Sequence, residues 1–428
     1  MNESTFSRRQ FLGTTAFGAA AAAILANPAR AAAEAVGAKA PDLPDLTIKE
    51  VKLYVLDRRK MPATAPAIVA ASPRGQGLAA ALYGGHAQIA SIVTASGIEG
   101  NYILDEHYFH PNWTTEGWLP YAKAACLGRS VYDLPAITSQ WVPEKRRVGQ
   151  SAYASAIDNC LWDILGKAVG LPVYRILGAY RDKVMAYAST QHHDTLEQFV
   201  EEARICKAQG FKAYKIHPPS PNGGHDYKLD IAVAKAVRQE VGDEFTLMID
   251  PVGVYTREEA LKVGRAIQEL GYIFYEDPLP TKDIEGLVEL CRDLDVPIHM
   301  GEFLTSIYEY PEYIRRGATD AVRFIVDNVG GISGGLKLAH MAECFEMECV
   351  PHNWGEAYAH AVHFHLELAM PNNRWFEMTV PQGSSDRPYM KDKFRINSEG
   401  YVEAPKKPGL GYELDHDAVD RFMLRIDR

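Results

Sequence analysis

The chain has 428 residues, 47% hydrophobic and 23% charged, enough for a large core and more than one domain. Its net charge is −10 and no Lys/Arg-rich run stands out, which excludes a nucleic-acid backbone as partner and leaves room for a small anionic ligand.

The first stretch, "STFSRRQFLGTTAFGAAAAAILANPARAAAEA", sets Arg8 and Arg9 ahead of Phe11, Leu12, an Ala-rich apolar run and small-residue sites such as Ala29-Arg30-Ala31. It resembles a twin-arginine export signal of bacteria. Residues 1–33 are therefore set aside as a signal peptide, and passage through the twin-arginine (Tat) export machinery to the periplasm is expected. No later segment reaches transmembrane length. The six cysteines (Cys126, Cys160, Cys206, Cys291, Cys344 and Cys349) show no C-x-x-C pair and no zinc-like spacing, and are read as buried thiols.

From Leu46 to Gly100 the pattern is extended, in "LTIKEVKLYVL" and "IASIVTASGIEGNYI", with a Gly/Pro-rich loop from about Met61 to Gly85. A helix follows in "SAYASAIDNCLWDILGKAVG", where Ala156, Cys160, Leu161, Ile164 and Leu165 share a face and Gly170 with Pro172 ends it. These features predict a capping domain over 45–160, to which the C-terminal segment 385–428 returns.

Residues 161–384 alternate. "KVMAYAST", "AYKIH", "FTLMID", "YIFYED", "PIHMGE", "VRFIV", "CVPHNW" and "RWFEM" read as strands separated by amphipathic helices. Apolar strands buried on both faces call for parallel pairing with right-handed crossovers, and eight of them fit a closed barrel. The expected fold is α/β: an α+β capping domain plus a (β/α)-barrel.

Three successive barrel strands end on an acid, Asp250, Glu276 and Glu302, spaced by 26 residues each time. Strand ends of such a barrel open into one mouth, so these carboxylates would crowd together and repel unless a cation sits among them. All-oxygen ligation suits magnesium. Separate ion pairs with barrel Arg or Lys residues would also neutralise them, but would not require equal spacing. On flanking strands, Lys215 and His217 stand two apart and share a face, and His352 ends "CVPH", which places a base on either side of the acids.

The order of these motifs resembles the enolase superfamily, within it the mandelate racemase/muconate lactonizing enzyme group. The resemblance is carried by "IVTASGIEG", by "AIDNCLWDILGKAVGLPVYRILGAYRDKV", and by the K-x-H, D, YEDP, GE, GGI and PH elements in order. It implies Asp250, Glu276 and Glu302 as ligands of Mg2+ and Lys215 as the residue facing the substrate carboxylate. It further implies His217 and His352 as bases on opposite sides, and Glu377 as an acid that hydrogen-bonds the developing enediolate.

One position departs from the group. The Asp that backs the opposite base is expected five residues before the first Gly of "GGI", where this chain has Ile325; Asp327 lies two residues further on. A His352 without a carboxylate behind it is a weaker base and a readier neutral donor. That favours His217 as base and His352 as acid for a leaving hydroxyl: dehydration of an acid sugar to a 2-keto acid. A racemase or epimerase, a lactone cycloisomerase, and a non-catalytic periplasmic sugar-acid binder stay open as alternatives. Specificity is expected from the Met61–Gly85 loop and "DEHYFHPNW". His86, His107, His110, His192 and His193 are candidates to line the pocket or to be structural, and a homo-oligomer is expected.

Overall fold

A computed structural model of the chain describes residues 44–62, 85–104, 115–139, 150–218, 225–354 and 357–428. The expected signal, most of the Met61–Gly85 loop, and His107 and His110 lie outside these residues.

Four strands form an antiparallel sheet: β1 (Ile48–Asp57), β2 (His86–Thr94), β3 (Glu99–Ile103) and β13 (Met423–Asp427), in the order β13-β1-β2-β3. The C-terminal strand thus pairs with the first one, Tyr54 opposite Ile426. Helix Gln150–Val169 packs on β3 so closely that a Cβ at Gly100 would stand 2.1 Å from the Cys160 carbonyl oxygen; only glycine fits there. The same helix runs across the domain boundary expected at 160/161 and also packs on helix Gly331–Cys344 of the second domain.

Between these parts lie eight parallel strands: β4 (Lys183–Ser189), β5 (Ala213–Ile216), β6 (Thr246–Ile249), β7 (Tyr275–Glu276), β8 (Ile298–Met300), β9 (Ala321–Val322), β10 (Glu348–Cys349) and β11 (Trp375–Thr379). Each pairs with the next as far as β10, and β11 returns to pair with β4, Glu377 opposite Tyr187, so the sheet curls round on itself. At the β10–β11 seam the Cys349 N–H donates to the Asn372 carbonyl at 2.8 Å. The short strand β12 (Tyr401–Glu403) runs antiparallel along β4. Helices fill the connections in the expected pattern. Arg257–Glu269, for example, starts with a capping box of Thr256 and Glu259 and buries Ala260, Val263, Gly264 and Ile267 against the strands.

Three strands shrink to two residues each, and "YIFYED" contributes only Tyr275–Glu276. "VRFIV" contributes only Val322, paired in β9 with the preceding Ala321, and Val326–Val329 is a helical turn. "CVPHNW" contributes only Cys349, which follows Glu348 in β10. Beyond those ends the backbone still follows its neighbour, with the Arg323 N–H on the Met300 carbonyl and the His352 N–H on the Phe324 carbonyl. The cysteines are free thiols, but not all are buried as expected: Cys291 is half-buried and Cys344 exposed. Among the described residues no helix is long and apolar enough to cross a membrane.

Candidate active site

The strand ends bring Lys215, His217, Asp250, Glu276, Glu302, His352 and Glu377 into one connected network. Lys215 Nζ lies 2.7 Å from Glu276 Oε2, 2.7 Å from Glu377 Oε1 and 3.4 Å from Asp250 Oδ2. Burial would lower the Lys215 pKa, but Glu276 and Glu377 outweigh it and hold the ammonium form. This lysine is fully buried and spent on protein carboxylates.

Each histidine has a carboxylate. His217 places Nε2 3.0 Å from Asp250 Oδ2 and Nδ1 2.8 Å from the Thr190 carbonyl. A carbonyl can only accept, so Nδ1 carries a hydrogen and Nε2 is the nitrogen able to exchange a proton. The ring is walled by Trp354 and His192, with centroids 5.1 and 5.3 Å away. His352 places Nδ1 2.8 Å from Glu302 Oε2, which leaves its own Nε2 for proton transfer. The expectation that no carboxylate stands behind His352 is therefore corrected: Glu302, from the end of β8, takes the place left by Ile325. Asp327 does not serve there, since it faces Tyr102 of the antiparallel sheet and burial pushes its carboxyl up to about 7.

Glu377 also differs from expectation. It accepts from Ser189 Oγ at 2.8 Å and the Asn353 N–H at 2.9 Å, and pairs with Lys215 and with Arg323 Nη2 at 3.1 Å. Burial would raise its pKa, yet Lys215 and Arg323 hold it well below the usual carboxylate range. A carboxylate with four donors on it is an acceptor in this arrangement, where the resemblance implies an acid that hydrogen-bonds the enediolate.

Around the network the negative charge is in surplus. Five buried carboxyls, Asp250, Glu276, Asp277, Glu302 and Glu377, face two permanent cations, Lys215 and Arg323. Burial and the neighbouring carboxylates push Asp277 well above its usual range, although Arg323 opposes this. Burial would raise Asp250 and Glu302 too, but Lys215 and His217 depress Asp250, and His352 holds Glu302 down to about 2. The backbone beside the acids is strained: Val252 (φ 58°) and Asp277 (φ 33°) are left-handed, and the Gly253 N–H joins the two turns by donating to the Asp277 carbonyl at 2.6 Å.

Such a surplus of oxygen donors fits a divalent cation. Glu276, Glu302 and His352 each present a donor atom within 4.8 Å of the others. Asp250, expected in that group, stands beside it, with Oδ1 accepting the Val252 N–H at 2.8 Å and Oδ2 turned to His217.

Three groups escaped the sequence reading. Arg323 lies in "VRFIV", where strand alternation could have marked it as inward-facing. Trp354 follows His352 by two residues and donates to Ser189 Oγ at 2.9 Å. Asp277 hides in "YEDP". Of the loop histidines, His193 is structural, bonded to Glu202 at 2.9 Å, and His86 is exposed.

The sequence family described as enolase C-terminal domain-like matches residues 198–418, more than half of the chain. The chain belongs to the enolase superfamily. Within reach of this membership, the L-talarate/galactarate dehydratase of Salmonella typhimurium is 33% identical over 298 residues, 68% of this chain and 71% of that one. The arabinonate dehydratase of Saccharolobus solfataricus is 32% identical over 277 residues, 64% and 73% of the two chains. Among solved structures, D-glucarate dehydratase from Agrobacterium tumefaciens complexed with magnesium superposes with a TM-score of 0.75 at 26% identity, covering 89% of this chain and 100% of that one. The capping domain plus (β/α)-barrel is the superfamily fold, and the chain is an enzyme of the superfamily.

Proposed function

We propose that this enzyme is a magnesium-dependent dehydratase of acid sugars, aldonates or aldarates, giving a 2-keto acid and water. The observation that carries the reading is the pair of histidines, each with Nδ1 fixed by an acceptor and each paired with a carboxylate, on either side of a buried acid cluster. Oxygen preference makes Asp250, Glu276 and Glu302 the residues that would hold magnesium, in place of the His352 imidazole. The bound cation would supply positive charge for the substrate carboxylate as the α-proton leaves.

His217 Nε2 takes the α-proton, and the C–H electron pair moves into the carboxylate to give an enediolate. Return of that pair expels the β-hydroxyl, which His352 Nε2 protonates to water; the resulting enol tautomerises to the 2-keto acid. Lys215, held between Glu276 and Glu377, keeps a positive charge beneath the reacting carboxylate. Trp354 and His192 bound the space beside His217. Export through the twin-arginine route and periplasmic action belong to the same proposal, with Arg8 and Arg9 as its basis; so does assembly as a homo-oligomer.

The test is a panel of galactarate, glucarate, gluconate and arabinonate incubated with enzyme and Mg2+ in D2O, following keto-acid release and α-deuteration. Keto-acid release from at least one is expected. The carboxylate behind His352 favours a second reading, two-base inversion, which would appear as epimerisation at the α-carbon without keto acid. Neither keto-acid release nor deuteration with any of the four would leave the protein a binder.

A further inference from the structure

We propose that Arg323 is a positioning residue of the catalytic centre, closing a ring of alternating charge with Lys215, Glu276 and Glu377. Arg323 Nη2 lies 2.7 Å from Glu276 Oε1 and 3.1 Å from Glu377 Oε2, while Lys215 Nζ lies 2.7 Å from Glu276 Oε2 and 2.7 Å from Glu377 Oε1. Each carboxylate therefore gives one oxygen to each cation, and the circuit is complete.

The four side chains come from β5, β7, β11 and the residue following β9, which are alternate strands of the barrel. A (β/α)-barrel fills its interior with layers of four side chains from alternate strands, mostly branched and apolar. Here one whole layer is ionic, and all four members are fully buried. Two positive and two negative charges make that layer neutral by itself. Of the acids outside it, Asp250 and Glu302 are each paired with a histidine.

Neutrality matters because a buried charge that loses its partner is far more costly than the pair is valuable. Without Arg323, one ammonium would face two carboxylates in a layer closed to solvent. Glu276 would then lose the contact that fixes its Oε1, and Glu377 would swing with it, so the ammonium they share would lose its aim. A guanidinium suits the place because it stays charged when buried. Arg323 also reaches toward Glu302 Oε2 and the Tyr187 hydroxyl, each at 3.5 Å.

The inference rests on the proposed function only for the use made of the aimed groups; the ring itself is testable without metal or substrate. Arg323→Met, Glu377→Gln and the double variant are compared with wild type by Tm in excess chelator. Each single change unbalances the ring and is expected to lower Tm by roughly 5–10 °C. The double variant, in which Lys215 and Glu276 remain balanced, should regain most of that loss. Additive losses would overturn the ring.

Arg323→Lys, which keeps the charge but retracts it, covers the case in which Arg323→Met does not fold. It should hold Tm within a few degrees of wild type, yet lower kcat ~10-fold or more at nearly constant KM on an acid sugar that wild type converts. Unchanged kcat would overturn the positioning role. If wild type converts no acid sugar, the proposed function falls and the rescue of Tm alone decides the ring.

Discussion

His217 and His352 look alike in composition but not in setting. One is anchored through Thr190 and faces Asp250, the other is anchored on Glu302 and only slightly exposed. A base and a leaving-group acid contribute at separable steps, so their removal should have separable effects. His217→Asn is expected to lose both α-proton exchange with D2O and turnover, whereas His352→Asn should lose turnover by about 10²–10⁴-fold while exchange persists. Exchange surviving only in the His217 variant would assign the base to His352. The Glu302–His352 pair also has a pH signature. Because the folded-state pKa of Glu302 is depressed from 4.5 to about 2, the stability it contributes is present above about pH 4.5 and is lost as pH falls toward 2. In acid unfolding followed by circular dichroism, Glu302→Gln should flatten that limb of the curve.

The junction between helix Gln150–Val169 and helix Gly331–Cys344 gives "AIDN" and "GGI" a common cause. Asp158 Oδ2 accepts the Ser333 N–H at 2.9 Å, Asn159 Oδ1 accepts the Ile332 N–H at 3.1 Å, and Ser155 Oγ donates to the Asp327 carbonyl at 2.8 Å. One helix thus caps the other, satisfying N–H groups that the helix itself cannot. Gly331 must be glycine, since its φ is 76° and a Cβ would stand 2.5 Å from Asp158 Oδ2. Burial, partly offset by the Ser333 hydrogen bonds, raises Asp158 from 3.8 to about 7. Here the sign is opposite to that of Glu302: between about pH 4 and 7 the folded state holds a proton that the unfolded state has released, so this group's contribution falls as pH rises. Asp158→Asn carries no such proton, and its Tm relative to wild type should therefore climb between pH 5 and pH 8. A difference that stays flat with pH would show that Asp158 is already ionised in the fold.

The acids and the motif segments were legible in sequence because local pattern encodes them: equal spacing for Asp250, Glu276 and Glu302, and chain order for the motifs. Partners drawn from distant strands were not. Glu302 and His352 lie on strands two apart in the barrel, and nothing in either segment announces the other. The ionised state of Glu377 depends on donors from Ser189, Lys215, Arg323 and Asn353, four separate segments. Strand alternation can turn Arg323 inward, but the carboxylates it meets come from β7 and β11 and are set only when the barrel closes.

At the scale of the molecule, the two ends of the fold share one sheet. Residues 416–428 hold helix His416–Phe422 and β13, with Val419 and Phe422 buried and β13 paired along β1. Deleting them would expose β1 as an open edge, which invites pairing between molecules. The truncated protein is expected to lose several degrees of Tm and to scatter light in a concentration-dependent way. A monodisperse truncated protein of unchanged Tm would mean that β13 is dispensable.

That strand also imposes an order in time. On the ribosome β1 emerges early, but its neighbour at Met423–Asp427 is made only after every barrel strand has been translated. The antiparallel sheet therefore cannot be finished before the barrel strands are made, and until then β1 waits with one side unpaired. Completion of this sheet follows synthesis of the whole barrel, and of all the strand edges β1 waits longest for its partner.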